Sequence, residues 1–272
     1  MHVEQDEVAG GVRYRSFVVD GEQGEVPGAL WTTPGGSGLP LVLIGHGASG
    51  SKQQDYVRAL AHRLVLAHGV AAAAIDGPVH GDRRPDKGVD GALQFLDFVK
   101  VWSSDPCLTD SMVSDWRHTL DQLAALDDIA GPVGYWGLSM GTILGLPFVA
   151  SEERVEAAVL GLMGIAGPTA ERIAADAPRV TCAVLFLVQW SDELFPRETA
   201  FRLFDALGSP DKRLHANPGS HGSVPDDEFQ ASAAFLARRL SACRKSRPPA
   251  VGLDAGSWVS PDGADWRSGT RA

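Results

Sequence analysis

Apolar residues recur along the chain in two rhythms. Residues 12–19 alternate as a half-exposed strand does, residues 26–33 resemble a second such strand, and Pro40-Leu41-Val42-Leu43-Ile44 is the unbroken apolar run of a central strand. From there, short apolar runs alternate with helical spacing. Residues 53–68 carry Val57, Leu60, Ala61, Leu64 and Leu66 at near-helical intervals, and Gly69 supplies a stop. The pattern then predicts a buried strand over 70–75, a helix over 116–126 and a strand over 133–136 that opens after Gly131-Pro132. Two more apolar strands, 155–165 and 180–188, flank a helix-like stretch at 169–175. An amphipathic helix over 197–207, a short strand at 212–215 and a closing helix over 226–240 complete the series. Such alternation implies an α/β fold: a mostly parallel sheet covered on both faces, with antiparallel strands at its start.

Two stretches break the rhythm. Residues 83–112 mix charged residues and glycines with an apolar patch at Leu93, Phe95, Leu96, Phe98, Val99, Val101 and Trp102, which reads as a small lid or pocket wall, or as a loop that caps the core. Residues 244–272 are rich in Pro, Gly, Ser, Asp and Arg without periodicity, and are expected to be a disordered tail behind one domain spanning 1–243. A length of 272 residues with 44% hydrophobic content suits that single core.

Charge narrows the function classes. A net charge of −10 and the lack of a basic run argue against a nucleic-acid partner. The first 20 residues are charged throughout, and no stretch offers about 18 uninterrupted apolar residues, so neither a signal peptide nor a membrane span is read and cytoplasmic residence is expected. Cys107, Cys182 and Cys243 are widely spaced and odd in number, which fits reduced thiols better than a disulfide frame or a zinc site.

The chemistry is concentrated in Gly137-Leu138-Ser139-Met140-Gly141, a Gly-x-Ser-x-Gly pattern between the strand at 133–136 and an apolar, helix-length run at 142–150 that Gly145 and Pro147 weaken. Strand, sharp turn and helix would expose the Ser139 hydroxyl, and the flanking glycines would let neighbouring backbone approach it. Serine is a poor nucleophile at neutral pH, so a base, an orienting acid and an oxyanion site are required as well. Loops after parallel strands are where such a sheet presents these groups. Asp192 follows the apolar strand ending at Val188, with Glu193 as its rival; strand alternation favours Asp192. His221 sits in the glycine-flanked loop Asn217-Pro218-Gly219-Ser220-His221-Gly222, whereas His215 falls on the preceding strand and reads as structural. Ile44-Gly45-His46-Gly47-Ala48 directly follows the central strand, and the backbone N–H groups of Ala48 and Met140 are the candidate oxyanion donors. Lys52 in the same segment does not make a phosphate loop, because Ser51-Lys52 is followed by Gln53.

Together these residues, over about 12–240, resemble the α/β-hydrolase superfamily, and the chain order Ser139, Asp192, His221 is that family's order. His46-Gly47 and the stretch Asp76-Gly77-Pro78-Val79-His80-Gly81-Asp82-Arg83 look like the dienelactone-hydrolase-related esterases. Dienelactone hydrolases proper carry cysteine where this chain has Ser139, so lactone specificity is not implied. The resemblance implies a serine hydrolase acting on a small-molecule carboxylic ester through an acyl-enzyme, with no metal and no organic cofactor. Loop shaping is the simpler reading of His80 and Asp82. The same machinery serves thioesterases, acyltransferases and peptidases, and a decayed site would leave a binding module. Leu138, Met163, Trp190, Phe95 and Trp102, with His46 at the turn, are the candidate pocket residues, although apolar residues of this kind are more often core.

Overall fold

The computed structural model describes residues 1–246 except Gln23 and Lys87. Among these residues the chain builds one nine-stranded sheet in the order β1-β2-β3-β5-β4-β6-β7-β8-β9. The strands are β1 (His2–Ala9), β2 (Val12–Gly21), β3 (Gly24–Thr32), β4 (Leu39–Gly45), β5 (Ala71–Ile75), β6 (Ile129–Gly137), β7 (Val155–Gly161), β8 (Ala183–Gln189) and β9 (Lys212–Asn217). β1, β2 and β3 pair antiparallel, β3 meets β5 antiparallel, and every pairing from β5 through β9 is parallel. The helices are α1 (Asp55–His68), α2 (Gly91–Ser104), α3 (Leu108–Ala124), α4 (Met140–Ser151), α5 (Ala170–Asp176), α6 (Arg197–Ala206) and α7 (Asp226–Ser246). The α/β class, the mostly parallel sheet and the antiparallel opening follow the pattern of the sequence.

The central strands are apolar on both faces because both faces are covered. Leu41 and Leu43 of β4 join Tyr135, Trp116, Leu120 and Phe148 in one core layer. Their neighbours Val42 and Ile44 point the other way, into a layer with Trp136, Leu60 and Leu64 of α1, and Phe235 and Leu236 of α7. Gly69 closes α1 in the left-handed conformation, with φ 62°.

Some boundaries differ from the sequence expectation. β1 is exposed along its whole length, so no apolar alternation marks it. α3 begins at Leu108 rather than near 116, because Leu108, Met112 and Val113 are buried in the first turns. β7 stops at Gly161, where φ is 150° and an added Cβ would lie 2.2 Å from the Leu187 carbonyl oxygen. β8 starts at Ala183, since Val180 belongs to the turn that follows α5. α7 continues to Ser246, past the expected end at 240, and the tail expected at 244–272 lies outside the described residues from 247 onward. The irregular stretch 83–112 holds α2, capped by the Asp90 carboxylate accepting from Leu93 N–H at 2.9 Å. Arg84 ties the base of this excursion down by pairing with Asp86, Asp97 and the Val79 carbonyl.

Candidate active site

The turn from β6 into α4 places Ser139 at φ 56° and ψ −119°, a conformation that side chains rarely adopt. Three sets of contacts hold it there. Ser139 N–H donates to the Gly161 carbonyl at 3.0 Å. The buried Thr142 hydroxyl lies 2.7 Å from the Gly137 carbonyl and 2.8 Å from that of Gly161, and it accepts from Gly161 N–H at 2.9 Å. The flanking glycines are needed for close approach: a Cβ on Gly141 would sit 2.4 Å from the Gly45 carbonyl oxygen, and one on Gly137 would sit 2.6 Å from that of Gly141. Beneath the turn, the Tyr135 hydroxyl donates to the Gly141 carbonyl at 2.7 Å. That hydroxyl fills space left by Gly45 and Gly145, which explains the glycine inside α4 that weakens the helix pattern.

Loops after β6, β8 and β9 bring three side chains together. His221 Nε2 lies 2.8 Å from Ser139 Oγ, and its Nδ1 lies 2.8 Å from Asp192 Oδ2. The second carboxylate oxygen of Asp192 accepts from the backbone N–H groups of Leu194 and Phe195, at 2.8 and 2.9 Å. The Asp192 side chain is only 4% exposed. Burial alone would raise its pKa, but the His221 hydrogen bond and the two N–H donors outweigh that and hold it below the ordinary carboxylate value. Glu193 does not reach the imidazole ring; its Oε2 accepts the backbone N–H of His221 at 2.9 Å. One carboxylate therefore meets the ring and its neighbour fixes the loop that carries it.

The segment after β4 runs alongside. Gly47 N–H donates to the Tyr56 hydroxyl at 2.7 Å, and the Ala48 carbonyl lies 2.7 Å from His80 Nε2. Neither Ala48 N–H nor Met140 N–H has an acceptor among the described residues. Lys52, buried, pairs with Asp76 and with Asp82 at 2.6 Å each, while Asp76 also accepts the backbone N–H groups of Lys52 and Asp82. This network locks the segment after β4 to the one after β5. His46 belongs to the same lock: its Nδ1 donates to the Gly47 carbonyl and its Nε2 accepts from Gly77 N–H, at 2.8 and 2.9 Å. Burial, and then the neighbouring His80, push its pKa down to about 4, so the ring is neutral. His80 and Asp82 are engaged in these loop contacts, with His80 Nδ1 also 2.7 Å from the Pro78 carbonyl.

A cavity of about 860 Å³ opens over Ser139 and His221, walled by Leu138, Phe95, Leu96, Tyr56, Trp136 and Phe229 among others. Of the six candidate pocket residues, Leu138 and Phe95 line it. The other four do not. His46 is locked behind the loop, and Met163 is fully buried in the core. Trp190 is 49% exposed on the outer surface, with the Arg197 guanidinium stacked 4.7 Å from its ring centre. Trp102 stacks on Phe98 and donates to Thr169 at 3.0 Å. Tyr56, Trp136, Leu162, Leu194, Val224 and Phe229 were not legible as lining residues. Tyr56, Trp136 and Phe229 fall on helix and strand positions whose spacing is the same for core and for cavity, and Leu162, Leu194 and Val224 follow strands in segments without periodicity. Leu162, at φ 50°, shares with Ser139 a strained backbone on the cavity wall.

No protein-family model and no curated protein matches the chain. Solved structures do. A cold-adapted esterase from an Arctic intertidal metagenomic library, in a polyethylene-glycol-bound complex, is 39% identical, with a TM-score of 0.79 over 88% of this chain and 100% of that one. Its native structure matches at 37% identity and a TM-score of 0.74, over the same shares of both chains. At 20% identity, a dienelactone hydrolase from Anabaena variabilis shares the fold, with a TM-score of 0.63 over 86% of this chain and 99% of that one. With 39% identity across the whole length of a known esterase, the chain belongs to the α/β-hydrolase esterases and is a carboxylic ester hydrolase.

Proposed function

We propose that the chain hydrolyses esters through an acyl-enzyme on Ser139. The observation that carries this reading is the unbroken relay from Ser139 Oγ through His221 to Asp192, two contacts of 2.8 Å each. His221 Nε2 removes the Ser139 proton as Oγ bonds to the ester carbonyl carbon, and the carbonyl π electrons move onto oxygen. Asp192 keeps Nδ1 protonated and stabilises the imidazolium that forms. The oxyanion is received by Ala48 and Met140 N–H, which have no other acceptor among the described residues, and by the positive end of α4. Collapse of this intermediate breaks the bond to the alkoxy oxygen, which leaves as the alcohol with the proton from His221. Water, deprotonated by His221, then attacks the acyl carbon, and the acid departs as Ser139 regains its proton.

The substrate in this reading is a small uncharged ester, since His221 supplies the only ionisable side chain besides Tyr56 in the lining. α2 serves as a pocket wall of a single catalytic domain, through Gly91, Ala92, Phe95 and Leu96. No helix among the described residues is long and apolar enough to cross a membrane. Residence in the cytoplasm fits the free thiols of Cys107 and Cys182.

Ser139→Ala tests the mechanism. The variant is expected to fold and to lose at least ~10³-fold in turnover of p-nitrophenyl acetate and butyrate, together with labelling by a fluorophosphonate. Turnover close to the wild-type rate would remove Ser139 from the reaction.

A further inference from the structure

Side chains of β8 alternate between the two core layers, and Leu185 and Leu187 face the one that holds Trp136 and Phe235. The next residue on that side is Gln189, the last of the strand and only 1% exposed. An apolar side chain would extend the core there, whereas an amide brings a donor and an acceptor that destabilise the fold unless they are paired. Its Nε2 donates to the Ser220 carbonyl at 3.2 Å, while its buried Oε1 has no partner among the described residues. The reverse orientation would set Oε1 against the Ser220 carbonyl oxygen, so the amide can only donate there.

We propose that Gln189 is a positioning residue for His221, keeping the imidazole in line between Ser139 and Asp192 by way of the Ser220 carbonyl. The inference rests on the reading of Ser139, His221 and Asp192 given above. The Ser220 carbonyl and the His221 N–H belong to one planar peptide group, so fixing both ends fixes the direction in which the His221 Cα leaves it. Gln189 takes the carbonyl, and Glu193 Oε2 accepts the N–H at 2.9 Å. Asp192, between them in sequence, meets the ring, and its own N–H donates to the Gln189 backbone carbonyl at 3.3 Å. One short segment, 189–193, thus holds the ring and both ends of the peptide bond that carries it. Ser223 N–H donates to the same Ser220 carbonyl at 3.0 Å, so removing Gln189 loosens the loop without releasing it.

Gln189→Met tests this, because it keeps the length of the side chain and removes the donor together with the unpaired acceptor. Its urea midpoint is expected to equal or exceed that of the wild type. On p-nitrophenyl butyrate, kcat is expected to fall about three- to tenfold, the range of one neutral hydrogen bond. KM is expected to stay within about twofold, since acylation and deacylation use the same imidazole and slow together. Glu193→Ala, at an exposed position, is then made in both backgrounds. It is expected to lower kcat by a larger factor in Gln189→Met than in the wild type, because it removes the other side-chain hold on the same peptide group. A kcat of Gln189→Met within about twofold of the wild type, a loss carried by KM, or a lowered urea midpoint each overturns the positioning role. An equal factor for Glu193→Ala in both backgrounds overturns the shared hold. Turnover that persists in Ser139→Ala would overturn the mechanism itself, whereas a Ser139-dependent enzyme indifferent to Gln189→Met overturns the role of Gln189 alone.

Discussion

At the scale of single residues, two adjacent carboxylates in one loop are chemically interchangeable until their surroundings are known. The Asp192 side chain is buried and shares its charge between the His221 ring and two backbone N–H groups, whereas Glu193 is exposed and its carboxylate accepts from the His221 backbone. Asp192→Asn keeps the shape but lets the ring take the wrong tautomer, and kcat is expected to fall on the order of 10³- to 10⁴-fold. Glu193→Gln is expected to change it by only a few-fold, and steady-state kinetics of the two variants separate the roles. Ser139, Asp192 and His221 were legible because each sits in a short loop just after a strand, Ser139 and His221 between glycines and Asp192 ahead of a proline. Met163 and Trp190 show the limit of such reading: one apolar side chain in a strand-loop junction goes to the core and another to solvent, and spacing is the same for both.

At the scale of elements, the segment after β4 owes its position to charge more than to glycine. Lys52, set aside in the sequence because it does not complete a phosphate loop, is the cation between Asp76 and Asp82. Removing one partner of a buried pair leaves the other's charge uncompensated, so Lys52→Met is expected to cost about 3–5 kcal/mol. Urea unfolding measures that loss. The elements themselves were legible where burial is two-sided, as in β4 and β5, or one-sided with helical spacing, as in α1. β1 was not, because neither of its faces is buried, and the start of α3 was hidden inside a stretch that reads as an irregular excursion.

For the whole molecule, pH acts on stability through His46. Its pKa is pushed from 6.5 to about 4 by burial and by His80, so the folded state resists a proton that the unfolded chain accepts. The stability it contributes is fully present above pH ~6.5 and is lost as pH falls toward ~4, by an amount on the order of 3 kcal/mol. His80, lowered in the same direction by burial, adds to the same slope. Urea midpoints measured from pH 7 to 4 are expected to fall less steeply in His46→Asn than in the wild type, even though the variant starts lower. Equal slopes would show that His46 takes up no proton on unfolding in this range.

The order of strands has a consequence for heat. β9 pairs with β8 alone, at one end of the sheet, and its residues are half-buried or exposed along the whole strand. The loop that carries His221 hangs from this strand, while Ser139 is anchored in the middle of the sheet. Opening confined to a margin takes less free energy than global unfolding. On warming, ester turnover is therefore expected to disappear several degrees before near-ultraviolet circular dichroism reports loss of the aromatic interior. Working life at temperature is then set by the hem of the sheet, and a brace between β8 and β9 prolongs it where further filling of the centre does not.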